Sequence, residues 1–328
     1  MRDLLSLQAT ESEDIRRILQ TAVGFKEILA RSVKKVPTLR GRSVITLFYE
    51  SSTRTRSSFE LAAKYMSAEA VNITVAQSSV SKGESLKDTL RTLQALTADC
   101  VVIRHGSSGA AELAAQFADV PVINAGDGRH EHPTQGLLDA LTIWEHKGRR
   151  GDGETGRQGD FSLDGLAVVI VGDLAHSRVA RSNVWGLTKL GATVRWVGPK
   201  TLIPMDADRL PISVHTDLKE ALEGADVVMA LRLQTERQER GLLPSLREYS
   251  RMWGISPRSL QYAKPDALVM HPGPMNRGVE ISAEVADGVG GIRAAVEQQV
   301  TNGVAVRMAC LYLLMGGESQ GVGERAEP

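Results

Sequence analysis

Ser51, Ser52, Thr53, Arg54, Thr55, Arg56, Ser57 and Ser58 form an unbroken polar run after the apolar stretch 43–50, "SVITLFYE". Phe59, Ala62, Ala63 and Met66 then recur at helical spacing. Capping a helix requires one hydroxyl. Hydroxyls interleaved with two arginines, between a buried strand and a helix start, exceed that need. Backbone N–H groups at a helix N-terminus, hydroxyls and a guanidinium together make a site for a phosphate dianion.

Other polar residues stand at comparable places. Arg104 lies at the exit of "CVVIRH", 100–105. In "DGRHEHPTQGLLDA", 127–140, His130 and His132 flank Glu131, but the spacing is not that of a helical HExxH pair and no cysteine is near. No metal is expected there. His132 fits better as a donor to a carbonyl oxygen, with Gln135 one turn later offering both a donor and an acceptor. The stretch "VVIVGDLAHSR", 168–178, carries Gly172, but Leu174 and Ser177 replace the later glycines of a dinucleotide fingerprint. No nicotinamide cofactor is expected, and none of any other kind. Arg178 falls instead at a helix start, and Arg232 with Gln234 lies just past a further strand. Two guanidinium forks suit a dicarboxylate. "HPGPMNRG", 271–278, sets Gly273 and Pro274 in a rigid wall whose carbonyls can accept from an amine, and Lys82 sits in a polar loop, 76–90.

Apolar runs alternating with helical patterns must position these groups. Strands are expected at 43–50, 70–76, 100–105, 120–126, 166–173, 193–199, 226–232 and 267–274. Helices are expected after the polar run and at 85–96, 109–117, 133–148, 178–191, 217–225 and 295–316. Pro133 opens one of them, where a missing N–H costs nothing. Two successive β-α series, joined through the glycine-rich segment 148–160, predict two α/β domains. Each should be a mainly parallel sheet flanked by helices, with ligands in the cleft at the carboxyl ends of the strands.

The 328 residues also exceed one ordinary core. Lys plus Arg and Asp plus Glu both total 39, so no net field draws nucleic acid or an acidic membrane, and any anion site must be local. Aromatics at 4% are too sparse for base-stacking platforms. Cys100 and Cys310 sit in apolar settings and read as buried free thiols. No apolar run reaches the ~18–20 residues of a membrane span. The N-terminus lacks a signal-peptide core, so a cytoplasmic protein is expected.

Taken together, "STRTR", "SKGES", "HPTQGLLD", "VGDLAHSR", "RLQTER" and "HPGP" resemble the aspartate/ornithine carbamoyltransferase family, in its order and over nearly the whole chain. "HPTQ" and "HPGP" are similar to its aspartate branch. The resemblance implies transfer of a carbamoyl group from carbamoyl phosphate to L-aspartate, a step of pyrimidine biosynthesis. Ornithine as acceptor, or a non-catalytic scaffold, are the rival readings. By resemblance, Ser52, Thr53, Arg54, Thr55 and Arg104 hold the phosphate, while Thr55, Arg104 and His132 polarise the carbamoyl oxygen. Gln135 with the Gly273–Pro274 backbone holds the carbamoyl amine, and Arg178, Arg232 and Gln234 bind aspartate. Lys82 and Ser78 or Ser79 would enter from a neighbouring subunit of a homotrimer with shared active sites. The implied domains are a carbamoyl-phosphate-binding domain, 1–146, on which helix 295–316 packs back, and an aspartate-binding domain, 147–294. A flexible tail, 317–328, follows. Dihydroorotase and regulatory chains are the further candidate partners.

Overall fold

The computed structural model describes residues 1–74, 83–148, 161–234 and 242–316. Ser78, Ser79, Lys82, most of the 148–160 segment and the 317–328 tail lie outside the described residues.

The first half runs α1 (Ser12–Leu29), β1 (Ser43–Phe48), α2 (Thr53–Tyr65), β2 (Glu69–Thr74), α3 (Leu86–Ala95), β3 (Cys100–His105), α4 (Ala110–Phe117), β4 (Val122–Asp127) and α5 (Pro133–Lys147). Its sheet is parallel throughout, in the order β2-β1-β3-β4. Strands buried on both faces need near-continuous apolar sequence, and β1 supplies it. Val44 and Phe48 face the core beneath α1, α2, α5 and the C-terminal helix, whereas Ile45 and Leu47 pack with Leu90, Leu93, Ala111 and Ala114 of α3 and α4.

The second half runs β5 (Ala167–Val171), α6 (Arg178–Thr188), β6 (Thr193–Val197), β7 (Ser213–His215), α7 (Leu218–Leu222), β8 (Val227–Ala230), α8 (Leu246–Trp253), α9 (Pro257–Leu260), β9 (Leu268–Met270), α10 (Ala283–Ala286), β10 (Arg293–Ala294) and α11 (Val296–Met315). Its sheet, again parallel, has the order β10-β9-β8-β5-β6-β7. The two sheets share one core: Val168, Ile170, Trp196 and Met229 join Ala305, Val306 and Met308 of α11 and the residues beneath the first sheet. Two α/β domains with parallel sheets flanked by helices are thus present, as expected.

Strand ends differ from expectation where the chain turns into the loops of the cleft. The expected strand 166–173 ends at Val171, because Gly172 turns the chain at φ +133°, and a Cβ there would meet Tyr249 Oη at 3.0 Å. The expected strand 267–274 likewise ends at Met270, freeing the 271–274 backbone from the sheet. Helix α1 and the short elements β7, α8, α9, α10 and β10 were not among the expected elements. Cys100 and Cys310 are free and fully buried, and burial pushes both thiols up, Cys310 to about 12. No helix among the described residues is long and apolar enough to cross a membrane.

Candidate active site

The first turn of α2 begins at Thr53, with Ser52 as its N-cap residue in extended conformation. The Ser52 hydroxyl makes no capping hydrogen bond, and the first turn carries no acidic side chain. Arg56 N–H makes the first backbone bond of the helix, to Ser52 O. By position, the N–H groups of Thr53, Arg54 and Thr55 therefore have no partner within the helix. A positive helix end with uncapped donors, beside hydroxyls and a guanidinium, is an anion site.

That turn opens into a cleft of about 970 Å³ between the two sheets. Ser52, Thr53, Arg54, Thr55, Arg104, His132, Gln135, Arg178, Arg232, Gln234, Gly273 and Pro274 all line it. Of the residues singled out above as site residues, those within the described residues therefore meet there; Lys82, Ser78 and Ser79 lie outside the described residues.

Each side chain is placed by its element. Arg104 emerges where the pairing of β3 with β4 shifts register, and its Nη1 donates to Ala125 O at 3.0 Å. Arg178 opens α6 and donates through Nη2 to Glu50 Oε2 at 2.5 Å, the same oxygen that Arg104 Nε approaches at 3.6 Å. Gly126, at φ +112°, lets these two arginines converge. A Cβ there would lie 3.0 Å from Arg178 Nε and 3.1 Å from Arg104 Nη1. Across the cleft, the Gly273 backbone lies against the Arg54 guanidinium, which a Cβ would meet at 3.0 Å. Gln234 Nε2 donates to His176 O at 3.2 Å, which fixes its amide beside Arg178.

Electrostatics follow from burial and crowding of cations. Partial burial, and then the nearby Arg232, lower Arg54. His132 is the residue before α5, and its N–H donates to Ser182 Oγ at 2.8 Å. Its ring nitrogens are buried and without hydrogen-bond partners among the described residues. Burial, then Arg104, Arg307 and Arg178, hold it well below the usual imidazole range. A neutral imidazole offers one N–H donor, which suits polarising a carbonyl oxygen without adding charge.

The neighbours of His132 have structural partners of their own. His130 Nδ1 lies 3.1 Å from Asp127 Oδ2, and Glu131 accepts from Leu7 N, Gln8 N and Ser182 Oγ. Glu131 thereby ties the N-terminal segment to α6.

Four cleft or near-cleft residues were not among the expected site residues. Glu50 ends the apolar run before the cradle and holds Arg104 and Arg178. Arg307 is a buried cation in the apolar helix α11, bonded to Ser58 Oγ at 2.9 Å and stacked 5.2 Å from the Phe59 ring centroid. Burial lowers it to about 10, so it stays charged at neutral pH. Asp139 and Gln299 form a buried amide-carboxylate network behind Gln135. A lone arginine inside an apolar helix, and an aspartate one turn after Gln135, were the available signals.

Two family models match. Residues 2–145 match the carbamoyl-phosphate-binding domain of aspartate/ornithine carbamoyltransferases, and residues 164–314 match their Asp/Orn-binding domain. The chain is 59% identical to an aspartate carbamoyltransferase catalytic subunit from Desulforamulus reducens, over 97% of this chain and 96% of that one. It is 58% identical to the one from Pelotomaculum thermopropionicum, over 96% and 97%. Among solved structures, aspartate transcarbamoylase from Trypanosoma cruzi in complex with carbamoyl phosphate and aspartate superposes with a TM-score of 0.83. That match has 31% identity and covers 96% of this chain and 97% of the other. With one model matching each half and relatives aligned almost end to end, the chain belongs to the aspartate/ornithine carbamoyltransferase family.

Proposed function

We propose that this chain transfers the carbamoyl group of carbamoyl phosphate to the amine of L-aspartate, giving N-carbamoyl-L-aspartate and phosphate. The observation that carries the reading is the uncapped, acid-free first turn of α2 facing arginines of the second sheet across one cleft. The anion cradle takes the phosphate, and the opposed guanidiniums take a dicarboxylate. The high identity to aspartate-type relatives supports aspartate over ornithine as acceptor. Arg54, Thr55, Arg104, His132 and Gln135 are all present in the cleft, which disfavours a non-catalytic scaffold.

In this reading Ser52, Thr53, Arg54, Thr55 and Arg104 bind the phosphate. Thr55, Arg104 and neutral His132 polarise the carbamoyl oxygen, and Gln135 with the Gly273–Pro274 backbone holds the amine. Arg178, oriented by Glu50, binds aspartate with Arg232, Gln234 and Lys82, the last from a neighbouring subunit. The free amine of aspartate attacks the carbonyl carbon, a C–N bond forms, and the C–O bond to phosphate breaks. The departing phosphate takes the amine proton. No covalent intermediate is needed, so catalysis is orientation plus oxyanion stabilisation. The reading includes a cytoplasmic homotrimer with shared sites in pyrimidine biosynthesis. It divides the chain near residue 146, with α11 returning to the first domain.

Arg54→Ala tests it. Loss of one such donor costs roughly 10²–10³ in rate, and the exposed position of Arg54 predicts an unchanged melting temperature. Near-normal steady-state turnover of that variant would remove the cradle from the mechanism.

A further inference from the structure

Behind the cleft, Asp139 of α5 is fully buried and accepts from three side-chain amides. Gln135 Nε2 lies 3.0 Å and Gln299 Nε2 2.8 Å from its Oδ1, and Asn183 Nδ2 lies 2.8 Å from its Oδ2. An ionised carboxylate only accepts hydrogen bonds. Each amide must therefore turn its nitrogen toward Asp139 and its oxygen away. For Gln135, on the cleft wall, this leaves Oε1 for the cleft, with no hydrogen-bond partner among the described residues. For Gln299, Oε1 accepts from His271 N at 2.9 Å, at the start of the 271–274 wall. His271 Nδ1 in turn accepts from Gly273 N at 2.8 Å, and its Nε2 lies 3.3 Å from Glu280 Oε1. One carboxylate oxygen thus sets both sides of the pocket that faces the carbamoyl amine.

We propose that Asp139 is a positioning residue that makes this pocket selective for an acyl phosphate bearing N–H donors, with Gln299 relaying the constraint to the 271–274 wall. The inference rests on the carbamoyl-phosphate reading above. With the Gln135 amide fixed, the pocket presents an acceptor, and an isosteric methyl group would cover that acceptor and leave it unpaired. Burial raises Asp139 to about 6, which leaves it ionised at neutral pH, and the charge facing it is Arg307 of α11.

The test compares calorimetric affinities of the full chain for carbamoyl phosphate and acetyl phosphate, which differ only in amine against methyl. Asp139→Ala should lower the carbamoyl-over-acetyl ratio about tenfold, one hydrogen bond's worth, with acetyl phosphate affinity within about twofold of native. In a Gln135→Met background, Asp139→Ala should change the ratio no further. Gln299→Met, expected to lower the ratio at least about threefold, carries the test alone if Asp139→Ala does not fold. Equal native affinities, an unchanged ratio, or parallel weakening of both ligands would overturn the inference. A native protein that binds neither phosphate overturns the functional reading itself; one that turns over carbamoyl phosphate with an insensitive ratio overturns only the role of Asp139.

Discussion

A protonated His132 would add a cation beside Arg104, Arg307 and Arg178, and burial together with those guanidiniums keeps the imidazole neutral. The consequence for stability has a definite sign. The unfolded chain takes up this proton near pH ~6.5, and the folded chain does not until well below that. Lowering the pH through about 6.5 therefore favours the unfolded state. Thermal denaturation of native protein and His132→Gln between pH 5 and 7.5 should show the native protein losing more stability on acidification; parallel curves would contradict a neutral buried imidazole. At this scale the cradle, Arg104, His132, Gln135, Arg178, Arg232 and Gln234 were legible as candidates, because each lies at or soon after the end of a strand-like apolar run. Glu50, Asp139, Gln299 and Arg307 were not. Most of their partners are distant, as in Arg307 with Ser58, 249 positions apart; the lone arginine in an apolar helix and the aspartate one turn after Gln135 marked positions without naming those partners.

Among the helix starts, α2 and α3 differ in a way that separates capping from binding. Ser85 caps α3, accepting from Asp88 N at 3.2 Å, whereas Ser52 at the start of α2 makes no such bond. Removing a cap costs about 1 kcal/mol. Ser85→Ala should lower stability by about that amount in denaturant titration, and Ser52→Ala by much less while raising the KM for carbamoyl phosphate. Equal destabilisation without a change in KM would make Ser52 an ordinary cap. Parallel strands were readable as apolar runs, since both faces are buried. Helix α1 was missed although Ile15, Ile18, Leu19 and Ala22 recur at helical spacing and are fully buried. Strands β7 and β10 have three and two residues, too few to carry any period.

On the scale of the molecule, a balanced net charge conceals a cleft into which Arg54, Arg104, Arg178, Arg232 and Arg307 are gathered from both halves of the chain. Helix α11 makes this possible. It follows the last strand of the second sheet yet packs on α1, α2 and α5 of the first, bringing Arg307 and Gln299 to the site. The helix itself was legible as one long apolar segment, but that segment alone does not say where it packs, and what its polar residues contribute required the packed fold. The central claim is carbamoyl transfer to aspartate, and product analysis tests it most directly. The full chain is incubated with labelled carbamoyl phosphate and either L-aspartate or L-ornithine, and carbamoylated product and phosphate are quantified. The expected result is N-carbamoyl-L-aspartate in step with released phosphate, and no carbamoylated ornithine. Carbamoylated ornithine as the main product, or phosphate release that does not depend on aspartate, would contradict it.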